Sequence, residues 1–394
     1  MTSRVDADLV AAEEAVHEAA RAATGFDDFG DPVYLDGLRM VLRALHEDQG
    51  LEGEALVAAV VPGPVVTGLI GRLYAYHGFA EHPGYAQVEI SDPLIVCGPP
   101  RTGTTALHQL LAEDPQFQGS ESWLCHTPLP RPPRDRWAQY PEYVEHRARV
   151  EADRERLQAL HWVAAEEFDE TNVILRQTYS GNFSLRGPLP TYDAFALARD
   201  VTPAYRYIAD VLRLIGLHEP DKPWLLKNPG DILSLDAILE VHPDARIVVT
   251  HRDPVSFIPS LASLLVALRS GTGRYGTDPG TIDAEAIARR ELRQWRIGLE
   301  RYEAAKTKHP DRFHDVWQRD LHRDPLGVAA GIYDRFGIEL TPEVQTRMRA
   351  WAQRAGGGSL EGGGGHAYTL EQFGLTREEI EEAYAGYRER YGFA

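Results

Sequence analysis

Residues 94–105 read LIVCGPPRTGTT, and this stretch dictates its own local fold before the rest of the chain is considered. Leu94-Ile95-Val96-Cys97 has the length and apolar continuity of a strand buried on both faces. Gly98 to Thr105 then fits G-x-x-x-x-G-K-[ST] at every position but one, where Thr104 stands in place of lysine. A helix over 106–113 follows, and Asp114-Pro115 ends it, because proline disfavours helical backbone in the residue before it. Strand, glycine turn and helix N-terminus together make an anion site: N–H groups converge, and the helix dipole adds about half a positive charge. The lysine that reaches a γ-phosphate is missing, and the cation inside the turn is Arg101. The expected phosphate contacts are Arg101, Thr102, Gly103, Thr104 and Thr105.

Further apolar runs occur at 224–227, 245–250 and 313–316, alternating with helical stretches such as 231–241 and 254–268. Continuous apolar strands between helices indicate βαβ units around a parallel sheet. The expected fold class is therefore α/β, a P-loop-like three-layer fold with a central parallel sheet and an N-terminal helical extension. Residues 1–88 read as a helical cap packed on a main domain of 89–394. Within that domain, the aromatic-rich region of about 123–200 reads as a substrate-facing insertion. The run GGGSLEGGGGHAY at 356–368 suggests a lid over 355–366, or a plain linker.

Charge narrows the partners. A formal net charge of −18 argues against nucleic acid or an anionic membrane surface, since phosphate neutralisation needs clustered Lys and Arg. A small neutral or apolar partner suits this balance better. Two cysteines, Cys97 and Cys125, make no disulfide framework. The N-terminus is acidic without an apolar h-region, and the longest uncharged stretch, 55–71, is broken by Pro62-Gly63-Pro64. No integral membrane segment and a cytoplasmic location are the expectations.

The loop resembles the 5′-phosphosulfate loop of sulfotransferases that use 3′-phosphoadenosine 5′-phosphosulfate (PAPS). It is most similar to the P-R-[ST]-G-T-T form found in bacterial small-molecule sulfotransferases and tyrosylprotein sulfotransferases. A second segment, 244–254, ends a strand in Arg252-Asp253-Pro254 and places Ser260 on the following helix. It resembles the family's 3′-phosphate site, with Arg252 as a planar fork and Ser260 as a hydroxyl donor. Weaker likenesses lie in 320–325, in His366-Ala367-Tyr368 and in Phe373-Gly374-Leu375. The resemblance implies PAPS as co-substrate, no metal, and sulfuryl transfer to a hydroxyl of a small-molecule or lipid-like acceptor.

By the same resemblance Glu121 is the expected general base, with His126 as its rival, and Lys227 the lysine that bridges the transferring group. Arg101 supplies positive charge to the leaving phosphate. His251 and His161 read as structural or peripheral. Trp123, Trp162, Tyr179, Phe183, Tyr192 and Phe195 are candidate acceptor-pocket residues, each of which also suits a core, and Arg354 is a candidate to fold over the nucleotide. Two alternatives stand beside this reading. One is a metal-dependent P-loop NTPase or kinase with Asp253 as its metal-holding carboxylate; the other is a nucleotide-binding module without catalysis.

Overall fold

The computed structural model describes residues 4–61, 63–154, 163–271, 282–355 and 369–393. The glycine-rich stretch from 356, with His366 and Tyr368, lies outside the described residues, as do His161 and Trp162. Four strands form one parallel sheet: β1 (Leu94–Cys97), β2 (Leu225–Lys227), β3 (Arg246–His251) and β4 (Phe313–Trp317), in the order β2-β1-β3-β4. The register pairs Leu94 with both Leu225 and Arg246, and Ile247 with Phe313.

Alternate side chains leave a strand on opposite faces. Ile95, Cys97, Ile247 and Val249 enter one core, whereas Leu94, Val96 and Val248 enter another. Both faces are covered, which is why these strands read as unbroken apolar runs. The chain leaves β1 for β2 on one side and returns to β3 on the other. Connections that diverge in this way open a crevice at the C-terminal ends of β1 and β3, where α/β folds place ligands.

The first four helices, α1 (Arg4–Thr24), α2 (Tyr34–Gln49), α3 (Gly53–Val60) and α4 (Pro64–Glu81), make the N-terminal cap. Leu38, Leu42 and Leu45 repeat at helical spacing and face a core of their own with Leu56, Leu69 and Leu73. Each such buried leucine contributes about 1.5–3 kcal/mol. Tyr179, Phe183, Leu189 and Tyr192 complete this core, so the cap braces the 179–198 segment rather than the sheet. Gly37 permits the approach, because a Cβ there would stand 2.6 Å from the Tyr179 carbonyl oxygen.

Helix α5 (Thr104–Leu111) follows the glycine loop and α6 (Pro190–Ala198) lies against α2; α7 (Pro254–Gly271) and α8 (Ala284–Lys308) pack together beside the sheet. The helix expected over 231–241 is divided into a 3₁₀ turn at Pro229–Leu233 and a helix at Leu235–Val241. The cause is Asn228, whose side-chain oxygen accepts from Gly230 N–H at 3.1 Å and holds the tighter turn. Among the described residues no single helix is long and apolar enough to cross a membrane.

Candidate active site

The loop after β1 takes positive φ at three positions, Gly98 (137°), Arg101 (69°) and Gly103 (99°). Alternation of this kind turns successive N–H groups inward and forms an anion-binding concavity. Gly98 is required there, since a Cβ would meet the Thr250 carbonyl oxygen of β3 at 2.7 Å. Arg101 is a non-glycine residue in the left-handed region, a conformation that costs about 1–2 kcal/mol. Thr102 is fully buried, and its hydroxyl donates to the Pro99 carbonyl at 2.6 Å and meets Thr250 Oγ1 at 2.5 Å. Its side chain braces the loop, leaving Thr104 and Thr105, in the first turn of α5, to face the crevice.

The two arginine motifs meet here. Arg101 Nε donates to Ser260 Oγ at 3.2 Å, and Arg252 Nη1 donates to the Arg101 carbonyl at 2.9 Å. The footing of Arg252 is rigid. Its neighbour His251 donates from Nε2 to Asp315 (3.0 Å) and accepts from the Tyr387 hydroxyl (3.0 Å), while its ring stacks on Tyr391. Tyr302 and Lys306 also bind Asp315, and this set of donors holds its carboxyl well below the usual range. Asp253 accepts from Val255 N–H at 3.1 Å and from Arg388 at 3.3 Å. It caps α7 instead of pointing a free carboxylate at the loop.

Lys227 ends β2, is 2% exposed, and donates through Nζ to Glu170 Oε1 at 2.7 Å. Tertiary hydrogen bonds hold Glu170 in place. Thr171 N–H donates to the Lys227 carbonyl (3.1 Å), and Asp169 N–H donates to the Ser120 carbonyl (2.8 Å). Asp169 Oδ1 accepts from Glu170 N–H (2.7 Å), and its Oδ2 accepts from Ser122 Oγ (2.8 Å). Behind Ser122 stands His146, whose Nε2 lies 3.0 Å from the hydroxyl, with Arg149 donating to Nδ1 at 3.1 Å. These partners assign the Nε2–H tautomer. Burial lowers the His146 pKa to about 3, so the ring is neutral at physiological pH.

Next to Lys227, Asn228 Nδ2 and the Tyr205 hydroxyl both donate to Asp231 Oδ1 at 2.7 Å. Burial raises the Asp231 carboxyl to about 7. His108, on α5, has its pKa lowered to about 3 by burial and then by Lys227, and its Nε2 has no partner among the described residues.

A cavity of about 290 Å³ opens from Thr104 and Thr105 past Glu170 and Asn228. Its walls are mixed: Leu261, Leu264, Leu265 and Leu268 of α7 and Ala196 and Leu197 of α6 make an aliphatic part, and Asp193, Arg199, Arg290 and Arg301 line it as well. Of the aromatic candidates, Tyr192 lines it. Trp123 packs in the main core, Tyr179 and Phe183 in the cap core, and Phe195 against the cap. These rings bury more area against neighbouring layers than a ligand pocket offers them.

Glu121 does not line the cavity. It is 7% exposed, and its Oε2 accepts from Arg131 Nε at 3.0 Å. Burial pushes its carboxyl upward, opposed by Arg131. His126 also stands apart, with its ring 4.8 Å from that of His146 and its pKa lowered to about 3 by burial. Arg354 donates to Glu113 at 2.9 Å, at the far end of α5. The structure thus brings together Arg101, Gly103, Thr104, Thr105, Arg252, Ser260 and Lys227. Glu170 and Asp193 are the carboxylates that line the cavity among the described residues, and Glu170 is the one paired with Lys227.

A profile described as "Sulfotransferase family" matches residues 93–342. The chain belongs to the sulfotransferase family. Sulfotransferase STF1 from Mycobacterium tuberculosis H37Rv superposes with a TM-score of 0.83 at 32% identity, covering 95% of this chain and 98% of that one. Sulfotransferase STF9 from Mycobacterium avium also gives 0.83, at 25% identity over 96% of each chain. Among curated proteins, the omega-hydroxy-beta-dihydromenaquinone-9 sulfotransferases Stf3 of Mycobacterium bovis and Mycobacterium tuberculosis are 25% identical over 329 residues, 78% of this chain and 77% of theirs.

Two features of this sulfotransferase escape a reading by motif. Glu170 follows Asp169 in a stretch without helical or strand period, and only the fold carries it to Lys227. The leucine wall did leave a signal: positions 261, 264, 265 and 268 repeat at i, i+3, i+4 and i+7, beginning at the residue after Ser260.

Proposed function

We propose that this sulfotransferase moves a sulfuryl group from PAPS to the hydroxyl of a lipid-like acceptor, with Glu170 as general base. The observation that carries the reading is a convergence at one crevice. The Gly98–Thr105 loop, Arg252 and Ser260 meet within hydrogen-bonding distance of one another, and Glu170, paired with Lys227, lines the adjoining cavity with its leucine face. The donor set fits PAPS. Inward N–H groups, Arg101 and the start of α5 suit the 5′-phosphosulfate; Arg252 and Ser260 suit the 3′-phosphate. When bound, PAPS supplies an electrophilic sulfur and a phosphate leaving group.

The chain's own residues supply positioning, charge and a proton acceptor. Arg101 and the loop N–H groups balance charge on the leaving phosphate, a preorganised arrangement that needs no reorientation during transfer. Arg101 gives no proton, because a guanidinium stays charged. Lys227, at the end of β2 beside β1, binds Glu170 through Nζ and stabilises negative charge on the transferring group. Glu170 Oε atoms face the cavity from which an acceptor hydroxyl arrives, and they take its proton as the new S–O bond forms. General bases of this kind contribute about 10²–10⁴-fold. The Stf3 relatives are named for acting on a hydroxylated menaquinone, which favours a lipid-like alcohol here.

Calorimetry with PAP, AMP and ATP, each with and without EDTA, tests the donor. Metal-independent PAP binding that depends on the 3′-phosphate is expected; magnesium-dependent ATP binding would overturn the reading in favour of a kinase or NTPase. A transfer screen with radiolabelled PAPS against lipid extracts tests the acceptor.

A further inference from the structure

We infer that Tyr387 and Arg388, on helix α9 (Ala385–Tyr391), are positioning residues that hold Arg252 for the donor's 3′-phosphate. This rests on the donor reading above. It assigns residues beyond the span that the family profile matches, which ends at 342. Arg252 needs such support, because it stands between the end of β3 at His251 and the start of α7 at Pro254 and belongs to neither. Its side chain is tied to the anion loop through Nη1 on the Arg101 carbonyl at 2.9 Å. A planar fork keeps both of its bonds to a phosphate only when it is held within about 0.5 Å of the productive geometry.

Helix α9 grips Arg252 from both sides. The Tyr387 hydroxyl donates to Nδ1 of His251, the residue before Arg252, at 3.0 Å, and its oxygen faces the Arg252 N–H. Arg388 Nε donates to Oδ1 of Asp253, the residue after Arg252, at 3.3 Å. Two consecutive helix residues thus hold the two flanks of the fork. The helix is itself anchored. Trp317 Nε1 of β4 donates to the Tyr391 carbonyl at 3.0 Å, and the Tyr391 ring stacks on His251 with centroids 4.3 Å apart. Arg388 Nη2 donates to the Phe393 carbonyl at 2.8 Å.

The two contacts act differently. Tyr387 sets orientation: His251 gives its Nε2 to Asp315, and the hydroxyl on Nδ1 fixes the other end of the ring and with it the end of β3. Arg388 sets charge. Asp253 is a carboxylate one residue from the fork, and unpaired it would repel a phosphate bound there. The Arg388 guanidinium offsets it and also takes Glu381 at 3.2 Å. A helix that merely covered the edge strand β4 would need neither polar contact, because the Tyr387 ring packs against Tyr391 and Phe393 without its hydroxyl.

The test is calorimetric titration of PAP and AMP against the parent protein, Tyr387→Phe, Arg388→Met and Arg388→Lys, with a urea midpoint for each. The parent should prefer PAP. Tyr387→Phe should weaken PAP by about 3–10-fold, the worth of one hydrogen bond, and leave AMP unchanged. Arg388→Met should weaken PAP by about tenfold, again sparing AMP, and Arg388→Lys, which restores the charge, should recover most of the loss. In steady state the KM for PAPS should rise by the same factors while kcat at saturation stays within about twofold, the pattern of lost binding rather than lost chemistry. A change confined to the urea midpoints, or equal weakening of PAP and AMP, would overturn the inference for the residue concerned. A parent that binds AMP as tightly as PAP would instead remove the donor reading, and that result is read before any variant is made.

Discussion

Replacing Glu170 by glutamine separates the two carboxylates that compete for the role of base. Glu170 pairs with Lys227 at 2.7 Å, with Lys227 2% and Glu170 19% exposed. Removing one partner of a buried pair outright costs about 3–5 kcal/mol. Glutamine keeps the shape and one acceptor oxygen for Nζ, so the expected loss is closer to 1–2 kcal/mol, read as a lower denaturant midpoint. Catalysis should suffer more. Without a proton acceptor, single-turnover transfer should slow by about 10²–10⁴, equivalent to roughly 3–5 kcal/mol in barrier height. PAP affinity should hold, because a carboxylate paired with Lys227 adds no attraction for a phosphate.

Glu121→Gln should give the opposite profile. Arg131, 10% exposed, keeps Glu219 at 2.7 Å and Gln118 at 2.9 Å, so part of its charge stays compensated. Stability should fall by about 1–3 kcal/mol while turnover stays within about tenfold. Adding Lys227→Met to Glu170→Gln should recover stability without recovering transfer, as happens when both members of a buried pair are removed. The assay is rapid-quench transfer from radiolabelled PAPS to a linear alcohol. Full turnover by Glu170→Gln, or a hundredfold loss confined to Glu121→Gln, would refute the assignment.

Arg252→Ala should weaken PAP by about 10–100-fold and erase its advantage over AMP, measured by calorimetry; Ser260→Ala should do the same by about 3–10-fold. Ser122→Ala breaks the link between His146 and Asp169 behind Glu170. It should lower kcat by roughly ten- to hundredfold while leaving acceptor KM unchanged, as expected of a positioning residue. Asp231, raised by burial from 3.8 to about 7, binds its proton more tightly in the folded protein than in the unfolded chain. Its contribution is therefore complete below about pH 4 and is lost as pH rises through 7, at up to about 1.4 kcal/mol per pH unit. Asp231→Asn should remove that decline. Parallel stability curves for the two proteins in urea between pH 4 and 7 would refute it.

What the amino-acid order reveals here follows the range of the interactions. The anion loop is written in contiguous residues, because positive φ at Gly98 and Gly103, the β1 run and the first turn of α5 are local demands. Arg252 and Ser260 are legible for the same reason: a strand end and a helix turn fix their offset. Glu170 is different. Its carboxylate reaches Lys227 only because Asp169 binds Ser120 and Ser122, and Thr171 binds the β2 carbonyl, contacts that bridge from 47 to 57 positions along the chain. Glu121 lies nearer the loop in sequence, but the same fold turns it to Arg131. Aromatic content misdirects in a related way, since Tyr179, Phe183 and Phe195 serve the cap core and only Tyr192 of the aromatic candidates in the described residues reaches the cavity, beside leucines on α7. The wall's period was visible, but its destination was not, because a stripe at i, i+3, i+4 and i+7 says which residues share a face and never what that face meets. In this sulfotransferase, then, the anion loop is encoded locally, while the Lys227–Glu170 pair and the cavity wall are products of packing. Substitutions on the α2 side of the α2–α6 contact, behind the cavity wall, should therefore alter acceptor preference while sparing PAP affinity, as calorimetry and a transfer screen would show.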